Sequence, residues 1–215
     1  EVIAIIGSTG SGKSTVVNLL PRFFDITCGK LTIDQISIKD IPLNRLRSLI
    51  GFVPQQASLF SGTIRSNIAY GATNATDEQI QRAARIAQAE EFIETLEDRY
   101  EALVEQSGNN FSGGQKQRLS IARAIIREPR IFIFDDSFSA LDFKTDLALR
   151  KALKEEIKDS TVFIVAQRIG TIMDADKIIV LQEGKMVGYG KHKELLESCD
   201  VYKEIALSQL DEEEV

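Results

Sequence analysis

Apolar and polar positions along the chain alternate between two periods. Glu1-Val2-Ile3-Ala4-Ile5-Ile6 is an almost unbroken apolar run ending in a glycine-rich turn, the pattern of a strand covered on both faces. Ile131–Phe134 and Thr161–Ala166 carry the same pattern. Residues 31–38 place Leu31, Ile33 and Ile36 in partial alternation and predict a half-buried strand; Ile50–Val53 predicts a short strand before Pro54. Lys177–Leu181 and Lys185–Tyr189 flank Glu183-Gly184 and predict a hairpin. Helices are expected over Lys13–Leu20, stopped by Pro21, over residues 142–158, and over about 191–209.

Residues 57–127 shift to helical spacing. Thr76 with Gln79 three positions on forms a capping-box start, followed by Ile80, Ala83, Ala84 and Ala87 on one face. Ser112 and Gln115 repeat that logic, followed by Leu119, Ala122, Ile125 and Ile126, with Pro129 just beyond. Strands alternating with helices imply an α/β fold whose mostly parallel sheet is covered on both faces. Residues 1–56 and 128–215 are expected to form its core, with 57–127 as an inserted helical subdomain. A central strand rarely opens a domain, so the chain is expected to begin inside a longer polypeptide.

At 215 residues, 43% hydrophobic, the chain is long enough to bury a sizeable core. Its net charge of −6 argues against a sequence-independent grip on nucleic acid, which depends on Lys and Arg. Part of the acidity is the run Asp211–Glu214, which reads as a solvated end. Cys28 and Cys199 are far apart and form no Cys-x-x-Cys pair, so they read as two free thiols. No apolar run approaches the ~20 residues of a membrane-spanning helix.

Gly7-Ser8-Thr9-Gly10-Ser11-Gly12-Lys13-Ser14, continued by Thr15, fits Gly-x-x-x-x-Gly-Lys-Ser/Thr between a predicted strand and a predicted helix. In such a loop the backbone N–H groups curl around phosphates and the helix N-terminus points at them. Lys13 would reach the β- and γ-phosphates, and the Ser14 hydroxyl would bind Mg²⁺. A Mg–nucleotide site also needs a carboxylate at the end of a neighbouring strand, which Asp135 supplies.

Further motifs carry a family resemblance. Phe111-Ser112-Gly113-Gly114-Gln115 looks like the signature motif of ATP-binding cassette (ABC) ATPases; Ser139-Ala140-Leu141-Asp142 resembles their D-loop; Gln55, after Gly51–Pro54, resembles their Q-loop glutamine. The resemblance implies the P-loop NTPase fold of that family, with its N-terminal strands and adenine-stacking aromatic upstream of Glu1. It implies ATP and Mg²⁺ as ligands, with Ser14, Gln55 and Asp135 around the metal. It also implies a head-to-tail pair of domains in which Ser112–Gln115 serve the partner's nucleotide. Helix capping explains Ser112 and Gln115 equally well, and both readings can hold. Leu59–Ile68 and Gly190–Leu196 resemble segments of ABC exporters whose membrane and ATPase domains share one chain. From this follow a transmembrane domain in the same polypeptide, a place on the cytoplasmic face of the membrane, and a role in transport.

Two positions at strand ends depart from the family pattern, and a third lies before the signature. Where a Glu positions the attacking water, this chain has Asp136, shorter by about 1.5 Å of reach. A misplacement of about 1 Å can cost ~10²-fold in rate. Where a switch His follows the last parallel strand, the chain has Gln167, which can donate a hydrogen bond but cannot become cationic near neutral pH. Gln106, before the signature, stands where many exporters carry Glu. This combination resembles the degenerate-site subunit of a heterodimeric exporter, whose competent site uses the partner's Glu and this chain's signature. The alternatives are a soluble ABC ATPase, or a homodimeric exporter domain in which Asp136 works as the base. The single histidine, His192, lies on a charged segment and reads as an ordinary surface residue.

Overall fold

The computed structural model describes residues 1–72 and 74–209; the acidic run Asp211–Glu214 lies outside the described residues. In chain order the elements are β1 (Val2–Gly7), α1 (Lys13–Leu19), β2 (Thr32–Ile33), β3 (Ile36–Ser37), α2 (Leu43–Ser48), β4 (Ile50–Val53), β5 (Gly62–Thr63), α3 (Ile64–Ile68), α4 (Asp77–Ile86) and α5 (Glu90–Glu94). They continue with β6 (Leu103–Val104), α6 (Gly113–Ile125), β7 (Ile131–Asp135), α7 (Phe143–Glu156), β8 (Thr161–Val165), α8 (Ile169–Ile172), β9 (Lys177–Gln182), β10 (Lys185–Gly190), α9 (His192–Ser198) and α10 (Asp200–Leu207). The chain divides into two compact units.

The first unit comprises residues 1–50, 131–136 and 161 onwards. Its strands run in the order β10-β9-β1-β8-β7. β1 lies parallel to both β8 and β9, β7 is parallel to β8, and only β10 runs antiparallel. The first strand is therefore central, and Ala4, Ile5 and Ile6 are fully buried, as its unbroken apolar run requires. Each of the two isoleucine side chains contributes about 1.5–3 kcal/mol. The α/β fold with a mostly parallel sheet and flanking helices is thus the one the pattern predicts.

Two local expectations are corrected in this unit. Residues 31–38 are not one strand but a tiny antiparallel hairpin, Thr32 opposite Ser37 and Ile33 opposite Ile36. Asp34 and Gln35 make its turn at φ 49° and 67°, a left-handed pair that Asp tolerates but that lacks the usual glycine signal. Residues 191–209 are not one helix either: Cys199, at φ −131° and ψ 102°, is extended and separates α9 from α10. The β9–β10 hairpin does turn at Glu183-Gly184, both at positive φ.

The second unit comprises residues 51–130 and 137–160. Its centre is α6, against which α3 and α4 pack, with α7 against α4. Ile64, Ile68, Ala84, Leu119, Ile121 and Ala122 are fully buried there. The capping boxes form: Gln79 N–H donates to Thr76 Oγ1 and Thr76 N–H to Gln79 Oε1. The unit is not wholly helical, because β5 and β6 pair antiparallel.

Candidate functional site

The Gly7–Thr15 loop leaves the C-terminal end of the central strand and enters α1. Gly7 is dictated by crowding: a Cβ there would lie 2.1 Å from the Leu181 carbonyl oxygen on β9. Gly12, at φ 97°, caps α1 in a left-handed conformation that side chains resist. The loop bends so that Ser11 N–H bonds to the Ser8 carbonyl at 3.1 Å, and Gly184 N–H holds the Ser11 carbonyl at 3.1 Å. Ser8, Thr9, Gly10, Ser14 and Thr15 are exposed around this bend. Among the described residues the buried Ser11 hydroxyl has no hydrogen-bond partner.

Lys13 folds back over the loop. Its Nζ donates to the carbonyls of Gly7 and Ser8, each at 2.8 Å. Burial lowers its pKa from the usual lysine value, while the nearby charges of Asp136 and Asp135 pull the other way. One residue further on, Ser14 Oγ donates to Asp135 Oδ1 at 2.9 Å, joining positions 121 apart in sequence. Asp135 closes the wholly buried strand β7. Its carboxyl is raised above the ordinary aspartate value, first by burial and then by Asp136, with Ser14 and Lys13 opposing. A hydroxyl and a carboxylate in contact are a hard oxygen set that fits Mg²⁺ beside phosphates. Among the described residues no cluster of three or more His, Cys, Asp or Glu suggests any other metal centre.

Asp136 sits immediately beyond β7 at φ 47° and is 7% exposed. Its N–H donates to the Val165 carbonyl at 2.9 Å, which locks the strand end to β8. Its Oδ2 accepts a 2.7 Å hydrogen bond from Gln167 Nε2. Asp136 and Gln167, the two strand-end residues that depart from the family pattern, thus meet each other.

The remaining predicted residues lie in the second unit. Gln55 is exposed, two residues beyond β4. Ser112 caps α6: its N–H donates to Gln115 Oε1 at 2.9 Å, and Gln115 N–H returns to Ser112 Oγ at 3.3 Å. A side chain at Gly113 would meet nothing within 4 Å, whereas one at Gly114 would approach the Ala140 carbonyl at 3.3 Å. The 139–142 turn therefore lies against the start of α6. Ser139 is exposed, and Asp142 caps α7, accepting from Thr145 N–H at 3.0 Å and Thr145 Oγ1 at 2.7 Å. Those bonds hold the Asp142 carboxyl below the usual aspartate pKa.

Three arrangements carried no sequence signal. Arg123 on α6 donates to the Asn67 carbonyl, the Asn67 side chain and the Ser58 carbonyl, and its guanidinium lies over the Phe60 and Tyr70 rings. His192 is not an ordinary surface residue: its Nδ1 is 2.7 Å from the Tyr202 hydroxyl, and Tyr202 is fully buried. Gln209, past α10, reaches the backbone around Arg168.

The family model "ABC transporter" matches residues 1–139. The uncharacterized ABC transporter ATP-binding protein YfiB of Bacillus subtilis is 47% identical over 213 residues, which span 99% of this chain and 37% of that protein. The ATP-dependent lipid A-core flippase of Chromobacterium violaceum is 42% identical over 212 residues, 99% of this chain and 36% of that protein. Among solved structures, that of a bacterial Atm1-family ABC exporter with ATP bound matches with a TM-score of 0.95 and 37% identity, covering 98% of this chain and 37% of that one. The chain thus spans between 28% and 37% of the length of the first curated relatives it matches.

Proposed function

The chain belongs to the ABC transporter family, and from that premise we propose that it is the nucleotide-binding domain of an exporter, using Mg-ATP to drive transport. The observation that carries this reading is the phosphate loop with Lys13 drawn over it and Ser14 bonded to Asp135. The names of the lipid A-core flippase and of the ATP-bound Atm1-family exporter support transport and ATP. On this reading the domain lies at the cytoplasmic face of a membrane, working with a transmembrane domain and a second ABC domain. On this reading residues 1–56 and 128–215 make up the ATP-binding core and 57–127 the subdomain that carries the signature, although residues 137–160 pack within the second compact unit.

Gly7–Thr15 bind the phosphates through backbone N–H groups and the α1 N-terminus. Lys13 exchanges its two carbonyl partners for phosphate oxygens, a stronger charge-assisted bond. Ser14 and Asp135 would hold Mg²⁺, which when bound neutralises phosphate charge. Asp136 is the residue placed to orient the attacking water, and it does so poorly for two reasons. It is one methylene shorter than Glu, and Gln167 already occupies one of its carboxylate oxygens. The domain's own site is therefore slow, and ATP stays bound there. Ser112–Gln115 serve the partner's nucleotide, and the open space at Gly113 supports an approach from outside the chain.

Calorimetry on the full-length protein tests the reading. With Mg²⁺ present, Lys13→Ala should weaken ATP binding by about tenfold or more, the loss of at least one charge-assisted bond. Unchanged affinity would overturn the assignment of the phosphate site.

A further inference from the structure

We propose that Gln209 is a positioning residue that holds Gln167 against Asp136, through a two-point amide clamp on the backbone either side of Arg168. Its Nε2 donates to the Gln167 carbonyl at 2.8 Å, and its Oε1 accepts from Ile169 N–H at 2.9 Å. The two bonds bracket Arg168, which is extended at φ −103° and ψ 128°. One carboxamide thus pairs with a residue's flanking carbonyl and N–H as a neighbouring strand would.

The segment needs such a partner. β8 ends at Val165, and α8 does not begin until Ile169. Ala166 N–H is taken by the Ile5 carbonyl, so the sheet holds the chain up to that point. Beyond it, Gln209 supplies the partner of the Gln167 carbonyl, and the Gln167 side chain then reaches Asp136 Oδ2.

The clamp stands on a firm base. α10 is seated by the fully buried Tyr202 and Ala206, and Gln209 N–H bonds back to the Ala206 carbonyl at 3.0 Å. The side chain must supply a donor and an acceptor together. Among the natural side chains only Gln does this at this length: Asn is one methylene short, and Glu lacks the donor.

The consequence for nucleotide rests on the reading given above. Gln167 Nε2 spends one N–H on Asp136 and has a second to offer the γ-phosphate, so loosening the clamp should weaken binding of ATP and not of ADP. The test uses the full-length complex with the partner's phosphate loop disabled, so that this site is read alone. Gln209→Ala, an exposed position, should weaken ATP about fivefold, part of the worth of one hydrogen bond to a charged group, and leave ADP unchanged. Amide exchange at Ile169 should quicken while that at Ala166 does not. In a Gln167→Ala background, Gln209→Ala should add nothing to the loss of ATP affinity. Equal losses for ATP and ADP, an ATP effect that persists without Gln167, or unaltered exchange at Ile169 would each overturn the proposal. Lys13→Ala in parallel separates the two questions. Were ATP indifferent to Lys13, the nucleotide reading would fall, and Ile169 exchange would decide the clamp by itself.

Discussion

Gln167 Nε2 and Asp136 Oδ2 lie 2.7 Å apart, a hydrogen bond that ties the segment after β8 to the end of β7. A cationic His at 167 would make a charge-assisted bond to a carboxylate; Gln makes a neutral-donor bond with no change of charge near neutral pH. The pair therefore sets both the reach and the charge of the groups beside Lys13.

Asp136→Glu, alone and with Gln167→His, should raise hydrolysis at this site. The expected gain is up to ~10²-fold, the cost of a misplacement of about 1 Å. Single-turnover hydrolysis in the full complex, with the catalytic Glu proposed for a partner domain disabled, gives the measurement. Complete loss of turnover by Asp136→Ala in the otherwise unaltered complex would make Asp136 a working base and end the slow-site reading.

Gly113→Glu should abolish most turnover of the complex and spare ATP binding to this chain. Among the described residues no atom lies within 4 Å of the added Cβ, so the fold has room for it. The new charge and bulk would stand where the partner's γ-phosphate is proposed to arrive. Wild-type turnover in the mutant complex would contradict the head-to-tail arrangement.

Arg123→Ala should destabilise the protein by about 2–4 kcal/mol, in line with removing a half-buried charged donor from its three acceptors. The guanidinium holds Ser58 and Asn67 at once, and Asn67 in turn clasps Phe60, accepting from its N–H at 2.9 Å and donating to its carbonyl at 2.7 Å. Urea unfolding reads the loss. Arg123→Lys should recover only part of it, because an ammonium cannot reproduce the planar fork.

Stability should fall as the pH drops below about 6.5. Burial lowers the His192 pKa, with Asp174 raising it and Lys193 lowering it further, so the fold favours the neutral ring. A depressed histidine contributes its full stabilisation above the unfolded value and loses it as the pH falls toward the folded one. At the other end, burial pushes the Tyr202 hydroxyl up to about 12, so its share is lost as the pH rises above 10. Urea midpoints between pH 7.5 and 5.5 should decline less in His192→Gln than in the unaltered protein.

The sequence determined the frame of the site. An unbroken apolar run from Val2 to Ile6 can be satisfied only with neighbours on both sides and cover on both faces, and β1 is the central strand. Gly7–Ser14 announced a tight glycine-rich turn from β1 into α1 because such a turn needs glycine at fixed offsets, and Thr76 and Ser112 announced helix starts through caps that act within four residues. These are local constraints, and local constraints are written in spacing. Where the local signal was weak the pattern misled: the Asp34-Gln35 turn lacks glycine, and Cys199 breaks the last helix without Gly or Pro. What only the tertiary structure decided are the contacts between positions far apart: Ser14 with Asp135, Gln167 with Asp136, Gln209 with the backbone around Arg168, and Arg123 with Ser58 and Asn67. A polar side chain has no periodicity that names its partner. Its partner is fixed by which strand ends and helix ends the packing of the apolar faces brings together.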